Sequence, residues 1–202
     1  MHKEILNEAQ IKMLPLLKSF SGKFGLVGGT AIALQLGHRR SIDFDLFTNK
    51  LFDHDKIRND IRKLYEIQST IVESPEELTV VANDVKLTFL LYPFEINYSE
   101  MLDEIINMPS VLTLSAMKAF ALGKRAKWKD YVDLFFVLRD HSLETIISTS
   151  KGIFGKEFNT KLFREQLSYY QDIDYSEAID YFGNKAVADN EIKTFLSEIS
   201  LQ

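Results

Sequence analysis

The sequence predicts an α+β protein: a small mixed sheet with helices, followed by a C-terminal helical bundle. Three observations predict it. Between Phe24 and Tyr92 short apolar runs and two-residue alternation, bounded by Gly-Gly, Asn-Asp and Pro, are interspersed with helical spacing. From Leu112 almost to the C-terminus they recur at helical spacing. Pro109 stands where the pattern changes, which divides the chain into an α/β domain, 1–108, and a helical domain, 109–202.

Residues 3–20 place Ile5, Leu6, Ala9, Met13, Leu16, Leu17 and Phe20 on one helical stripe, with Pro15 expected to bend or interrupt it. Phe24 to Val27 reads as a short buried strand. Gly28-Gly29 follows, and Thr30 to Leu36 reads as a helix ended by Gly37. His38 to Ser41 reads as a polar turn, either solvated or with Arg39 and Arg40 in structural ion pairs with the nearby carboxylates. Ile42 to Thr48 alternates, with Ile42, Phe44 and Leu46 on one side and Asp43, Asp45 and Phe47 on the other, the pattern of a strand. Asp53 to Tyr65 is a helix with Ile57, Ile61, Leu64 and Tyr65 as its apolar stripe. Strands follow at about 68–73 and 77–82, then a turn at Asn83-Asp84, then a strand from Val85 to Tyr92. The link between Pro93 and Pro109 reads as irregular or partly helical. Helices are expected at roughly 113–124, 128–139, 142–152, 158–171, 175–187 and 190–200.

The bulk composition narrows the function. The chain has 202 residues, 46% hydrophobic and 26% charged, enough to bury a core without disulfides or metals. Cys is absent, which excludes a disulfide scaffold, a Cys-based zinc site and a thiol nucleophile, and fits a reducing cytoplasm. A net charge of −5 argues against nonspecific coating of nucleic acid. No signal peptide and no membrane-spanning run is visible, so a soluble cytoplasmic protein without membrane association is expected. His2, His54 and His141 share no metal-ligand spacing, and neither a Ser–His–Asp arrangement nor a Walker-type loop is present.

The chemistry concentrates between Leu26 and Phe47. A strand runs into Gly28 and Gly29, and a helix starts at once. Without Cβ atoms those positions let a ligand approach the backbone. The first N–H groups of the helix lack internal partners and, with the helix dipole, attract an anion. Thr30 adds a hydroxyl donor. On the next strand Asp43 and Asp45 share one face, because side chains two apart point the same way. Two carboxylates so close repel unless a cation neutralises both, and a hard divalent ion with oxygen ligands does so, sharing its shell with substrate phosphates. A phosphate cradle and a carboxylate pair joined by one helix describe a nucleoside triphosphate site. A second block lies between Leu114 and Leu134. Lys118 and Arg125 are two helical turns apart, on one face, and Lys124, Arg125, Lys127 and Lys129 form a basic patch suited to phosphate oxygens. Asp130 and Asp133 are placed to orient these cations or to serve as a base.

The first block, Gly28-Gly-Thr-Ala and then Gly37-His-Arg-Arg-Ser-Ile-Asp-Phe-Asp-Leu-Phe47, resembles the signature of the polymerase-β-like nucleotidyltransferase superfamily. It is closest to the abortive-infection toxin branch of AbiEii/AbiGii type, whose lysine and acidic motifs are similar to the block from Leu114 to Leu134. The resemblance implies a polymerase-β-like core and transfer of a nucleotide from a nucleoside triphosphate to an acceptor, with Mg²⁺ or Mn²⁺. It implies Asp43 and Asp45 as catalytic metal ligands, and Lys118 and Asp130 as further catalytic residues. Gly28, Gly29, Thr30, Arg40, Ser41, Lys118 and Arg125 would bind the nucleotide. An RNA acceptor such as transfer RNA, and a cognate antitoxin as partner, are implied as well.

One position departs from the superfamily. Active members carry a third acidic residue on a later strand, and alternation in Asp84 to Tyr92 places Thr88 there. Asp84 is four residues earlier, about 13 Å along a strand. Either Asp130 or another carboxylate supplies the missing charge, or the protein is a nucleotide- or partner-binding module with little turnover. Transfer of phosphate rather than of a nucleotide is a third reading.

Overall fold

The computed structural model describes residues 1–202. A capping box opens the first helix, α1 (Glu8–Phe20): Asn7 accepts from the Gln10 N–H while the Gln10 side chain accepts from the Asn7 N–H. The expected start at residue 3 is corrected, because residues 3–5 form only a 3-10 turn. Pro15 sits inside α1 without ending it. Met13, Leu16, Leu17 and Phe20 are buried along one side and outweigh the single helical hydrogen bond that Pro15 removes.

The central sheet is built from β1 (Gly25–Val27), β2 (Phe44–Thr48), β3 (Ile67–Ser74), β4 (Glu77–Ala82) and β5 (Val85–Leu91), in the order β1-β2-β5-β4-β3. Only β2 and β5 run parallel; the other pairs are antiparallel. Helix α2 (Gly28–Leu36) leaves β1 directly, and α3 (His54–Arg62) connects β2 to β3, with Asp53 capping its N-terminus. Gly37 closes α2 at φ +62, the left-handed conformation that favours glycine.

Two expectations around β2 need revision. The strand begins at Phe44, and Ile42, expected on the apolar side, is 64% exposed. Pairing with β1 starts only at Asp45, so Ile42 lies outside the pleat. The link after Pro93 carries a small hairpin, β6 (Glu100–Leu102) and β7 (Ile106–Met108).

The second half holds α4 (Val111–Leu122), α5 (Trp128–Leu138), α6 (Leu143–Phe154), α7 (Thr160–Ser168) and α8 (Asp189–Ser200). Ser110, Ser142 and Asn159 cap α4, α6 and α7. The helix expected at 175–187 does not form. That segment is an extended strap tied at both ends to the rest of the chain. Asp174 and Trp128 exchange backbone bonds with the 126–128 turn and with residue 174, and the Arg40 N–H donates to the Asp180 carbonyl while the Phe182 N–H donates to that of His38. A helix would leave those carbonyls and N–H groups without these partners. One apolar core runs from α1 through the sheet to α8, so it does not divide at Pro109.

Candidate active site

The turn from β1 into α2 fixes the site. Val27 pairs with Asp45 across β1 and β2, so Gly28 sits beside that carboxylate. Gly28 has φ +72, and a Cβ there would come 2.0 Å from Asp45 Oδ2. A Cβ on Gly29 would meet the Arg39 guanidinium at 2.7 Å. The two glycines therefore make room for the protein's own charged groups first, and only then for a ligand.

Asp43 and Asp45 both face a cavity of about 470 Å³. It lies between the sheet and α4, with Gly28, Gly29 and Ser41 at one end. Lys118 and Arg125 line it too, as do Lys124, Lys127 and Lys129. Phe47, Tyr92, Met117 and Phe120 supply an apolar side. Burial in this cavity, and then the charge of Asp43, raise the pKa of Asp45 above the ordinary carboxylate value. Lys86, on β5, places its Nζ 2.6 Å from Asp43 Oδ2. An ammonium thus already holds one of the two acids, and the pair keeps the demand for positive charge that its alternation predicts.

Around Lys118 lies a buried ion network. Lys118 is 6% exposed, and its Nζ donates to Asp130 Oδ1 at 2.5 Å and lies 2.7 Å from Asp133 Oδ2. Arg39 clamps Asp133 through Nε and Nη2 at 2.7 and 2.9 Å. His38 Nε2 lies 2.7 Å from the same carboxylate, burial lowers its pKa against the pull of Asp133, and its Nδ1 has no hydrogen-bond partner. Burial works against the charge of Lys118, but Asp130 and Asp133 outweigh it and raise its pKa. Burial likewise opposes the charge on Asp133, yet Arg39 and Lys118 hold its carboxyl well below the usual range. Of the two readings of the His38 to Ser41 turn, the ion pair holds for Arg39: His38 and Arg39 are buried because α5 brings Asp133 to them, and neither is solvated.

The remaining expected site residues divide. Gly28, Gly29, Ser41, Asp43, Asp45, Lys118 and Arg125 line one cavity. Thr30 does not: it is 1% exposed, and its hydroxyl donates to the Asp43 carbonyl while lying 2.9 Å from Ser41 Oγ. It pins the Ser41–Asp43 turn and has no proton left for a phosphate. Arg40 points away, toward Asp180 at 3.6 Å and over the Phe182 ring. Asp130 is fully buried, accepts from Lys118 and from Arg125 Nε at 3.1 Å, and has a lowered pKa. A carboxylate so paired orients Lys118 and Arg125, the first of the two roles its position allows.

Three charged cavity residues escaped the sequence reading, Lys86, Glu77 and Glu177, and so did the apolar lining. Glu177, on the strap, pairs with Lys127 at 2.6 Å and with Lys129, and the two lysines outweigh partial burial to push its pKa down to about 2. Thr88 pairs in register with Asp45 and lines the cavity.

A small mixed sheet backed by a helical bundle is a fold this chain shares with solved nucleotidyltransferases. Solved structures agree on it. A candidate nucleotidyltransferase from H. pylori aligns with a TM-score of 0.63 and 16% identity over 96% of this chain and 92% of that one. MenT4, a nucleotidyltransferase toxin of Mycobacterium tuberculosis H37Rv, aligns with 0.61 and 15% over 95% and 80%. The chain belongs to the AbiEii family, described as "Nucleotidyl transferase AbiEii toxin, Type IV TA system", whose model matches residues 16–199. An uncharacterized protein of Aquifex aeolicus (strain VF5) is 34% identical over 122 residues, 58% of this chain and 59% of that relative. No helix is long and apolar enough to cross a membrane.

Proposed function

We propose that this chain transfers a nucleotide from a nucleoside triphosphate to an acceptor hydroxyl, and that it is the toxin of a toxin–antitoxin pair acting in the cytoplasm. The observation that carries the reading is a single cavity lined by both Asp43 and Asp45 and by Lys118, Arg125, Lys127 and Lys129. Its volume of about 470 Å³ suits a small polyanion with an attached base.

The donor set fits a hard divalent ion. Two carboxylates share a face, one of them with a raised pKa, and an ammonium stands at the other. Mg²⁺ or Mn²⁺ held by Asp43 and Asp45 would neutralise phosphate charge, with phosphate oxygens filling its remaining positions. The chain's own residues do the rest. The first N–H groups of α2, which no side chain caps, face the phosphates at Gly28 and Gly29. Lys118, fixed by Asp130 and Asp133, offers a positioned positive charge to the triphosphate, and Arg125 adds a second. Phe47, Tyr92 and Phe120 give the base an apolar surface.

The acceptor is read as RNA, transfer RNA among the candidates, because Lys124, Arg125, Lys127 and Lys129 all line the cavity of an acidic protein. Family membership supports an antitoxin partner. Thr88 favours one alternative, a module of the same fold that binds nucleotide without turnover.

Purified chain incubated with α-phosphate-labelled nucleoside triphosphates, Mg²⁺ and total RNA tests the proposal. Label is expected in RNA with the wild type and not with Asp43→Ala, Asp45→Ala. Wild type that labels nothing, yet binds a nonhydrolysable triphosphate tightly, supports the alternative.

A further inference from the structure

Asp45, Thr88 and Thr79 stand in one row across β2, β5 and β4. Thr88 pairs with Asp45 on one side and with Thr79 on the other, and directly paired residues share a face. Glu77, two residues before Thr79 on β4, shares that face too and lines the cavity. Its Oε1 accepts from Thr79 Oγ1 at 2.7 Å. Thr79 Oγ1 lies 3.4 Å from Thr88 Oγ1. A hydroxyl has one proton and two lone pairs. The proton of Thr79 is committed to Glu77, the closer and anionic partner. The contact with Thr88 then runs the other way: Thr88 donates to Thr79, and its lone pairs are left for the cavity.

We propose that Glu77 is the missing third carboxylate, acting from the neighbouring strand through Thr79 and Thr88 as a proton relay. The inference rests on the transferase reading above. In the transfer step the acceptor oxygen forms a bond to the α-phosphorus, and the bond from that phosphorus to the bridging oxygen breaks. Pyrophosphate leaves with the electron pair. The acceptor proton passes to Thr88 Oγ1, the Thr88 proton to Thr79 Oγ1, and the Thr79 proton to Glu77 Oε1. Each hydroxyl gains one proton and loses one, and Glu77 ends neutral until it releases its proton to water. Catalytic hydrogen bonds are commonly long in a free enzyme and tighten in the loaded complex, and the Thr79–Thr88 contact has that character. Thr79 is 4% exposed, so bulk water does not interrupt the chain at its middle link. The relay also explains a polar residue buried in a strand whose neighbours Leu78 and Val80 are apolar core.

Thr79 and Glu77 are positioning residues in this scheme, so the test separates chemistry from structure. The assay is label transfer from α-labelled nucleoside triphosphates to total RNA with Mg²⁺. Thr79→Val keeps the shape, removes the hydroxyl and suits a strand. It should lower kcat about 100-fold, the size of a lost acid–base contribution, with KM for the triphosphate and the melting temperature unchanged. Glu77→Gln should do the same, and Thr79→Ser should stay close to wild type. Thr88→Asp places the carboxylate directly at the reacting group, and in that background Glu77→Gln should have little further effect. Thr79→Val and Glu77→Gln that transfer at the wild-type rate overturn the relay and leave the transferase intact. A Thr88→Asp chain as sensitive to Glu77→Gln as the wild type also overturns it. A wild-type chain without transfer overturns the transferase reading and the relay together.

Discussion

Thr88 stands directly beside Asp45 in the parallel pairing of β5 with β2, a hydroxyl next to a carboxylate on the wall of one cavity. That neighbour leaves Asp45 without a third acid but also without a cation of its own, while Asp43 holds Lys86. The two acids are therefore unequal before any ligand arrives. Burial and Asp43 make Asp45 the member that resists ionisation.

Asp45 should be a burden on the fold. A carboxylate whose folded pKa is raised favours the folded state when protonated; that stability is present below its unfolded pKa and is lost as pH rises through the raised value. Asp45→Asn should accordingly be more stable than wild type at neutral pH, while losing label transfer. Urea titrations of both chains at several pH values check the sign.

Asp133 should behave in the opposite way. Arg39 and Lys118 hold its pKa well below 3.8, so its contribution is complete above that value and is lost as pH falls further. Asp130, with its lowered pKa, acts in the same direction. Acid unfolding of wild type should steepen below that value, and Asp133→Asn should flatten the dependence. Denaturant midpoints followed down the acid range read this.

Removing Lys118 should cost far more than removing Arg125. Lys118→Met leaves Asp130 and Asp133 buried with one cation fewer, and losing one partner of such a network costs about 3–5 kcal/mol. Arg125 has a side chain 52% exposed, and Arg125→Ala should cost only about 0–1 kcal/mol of stability. Its effect should instead appear as weaker triphosphate binding. Chemical denaturation and calorimetry on the two variants separate these roles.

Gly28→Ala should fail on two counts. A residue with a side chain at φ +72 costs roughly 1–2 kcal/mol, and the new Cβ would overlap the Asp45 carboxylate. Displacing Asp45 should abolish metal-dependent binding even where the chain still folds. A melting curve with and without Mg²⁺ and nucleotide shows both effects, since ligand stabilisation vanishes with the site.

Much of this was legible in the sequence. The Gly-Gly turn and the spacing of Asp43 and Asp45 are local patterns, and the cavity gathers these four residues; Lys118 and Arg125 line it as well, but α4 ends at Leu122 and Arg125 reaches the cavity from the turn before α5, not from the helical face that their seven-residue spacing predicts. What failed depended on distant partners. Arg40 and Arg39 are adjacent and chemically alike, yet Asp133, far along the chain, chooses Arg39. Thr30 read as a phosphate donor until the Asp43 carbonyl arrived from the next turn. The segment 175–187 carries Ile179 and Phe182 at a helix-like interval, but they pack on the core from an extended strap held by residues 38–40 and 126–128. Glu77 was invisible because strand register, which lines it up with Thr79 and Thr88, is a property of paired strands and not of one.

The central claim is that Asp43 and Asp45 engage a triphosphate through a divalent ion at the start of α2. Calorimetric titration of a nonhydrolysable nucleoside triphosphate into wild type and Asp43→Asn, Asp45→Asn, with Mg²⁺ and with a chelator, tests it most directly. Binding should require both the ion and the two acids. Equal affinity in the chelator, or in the double variant, would contradict the account, as would no binding by the wild type at all.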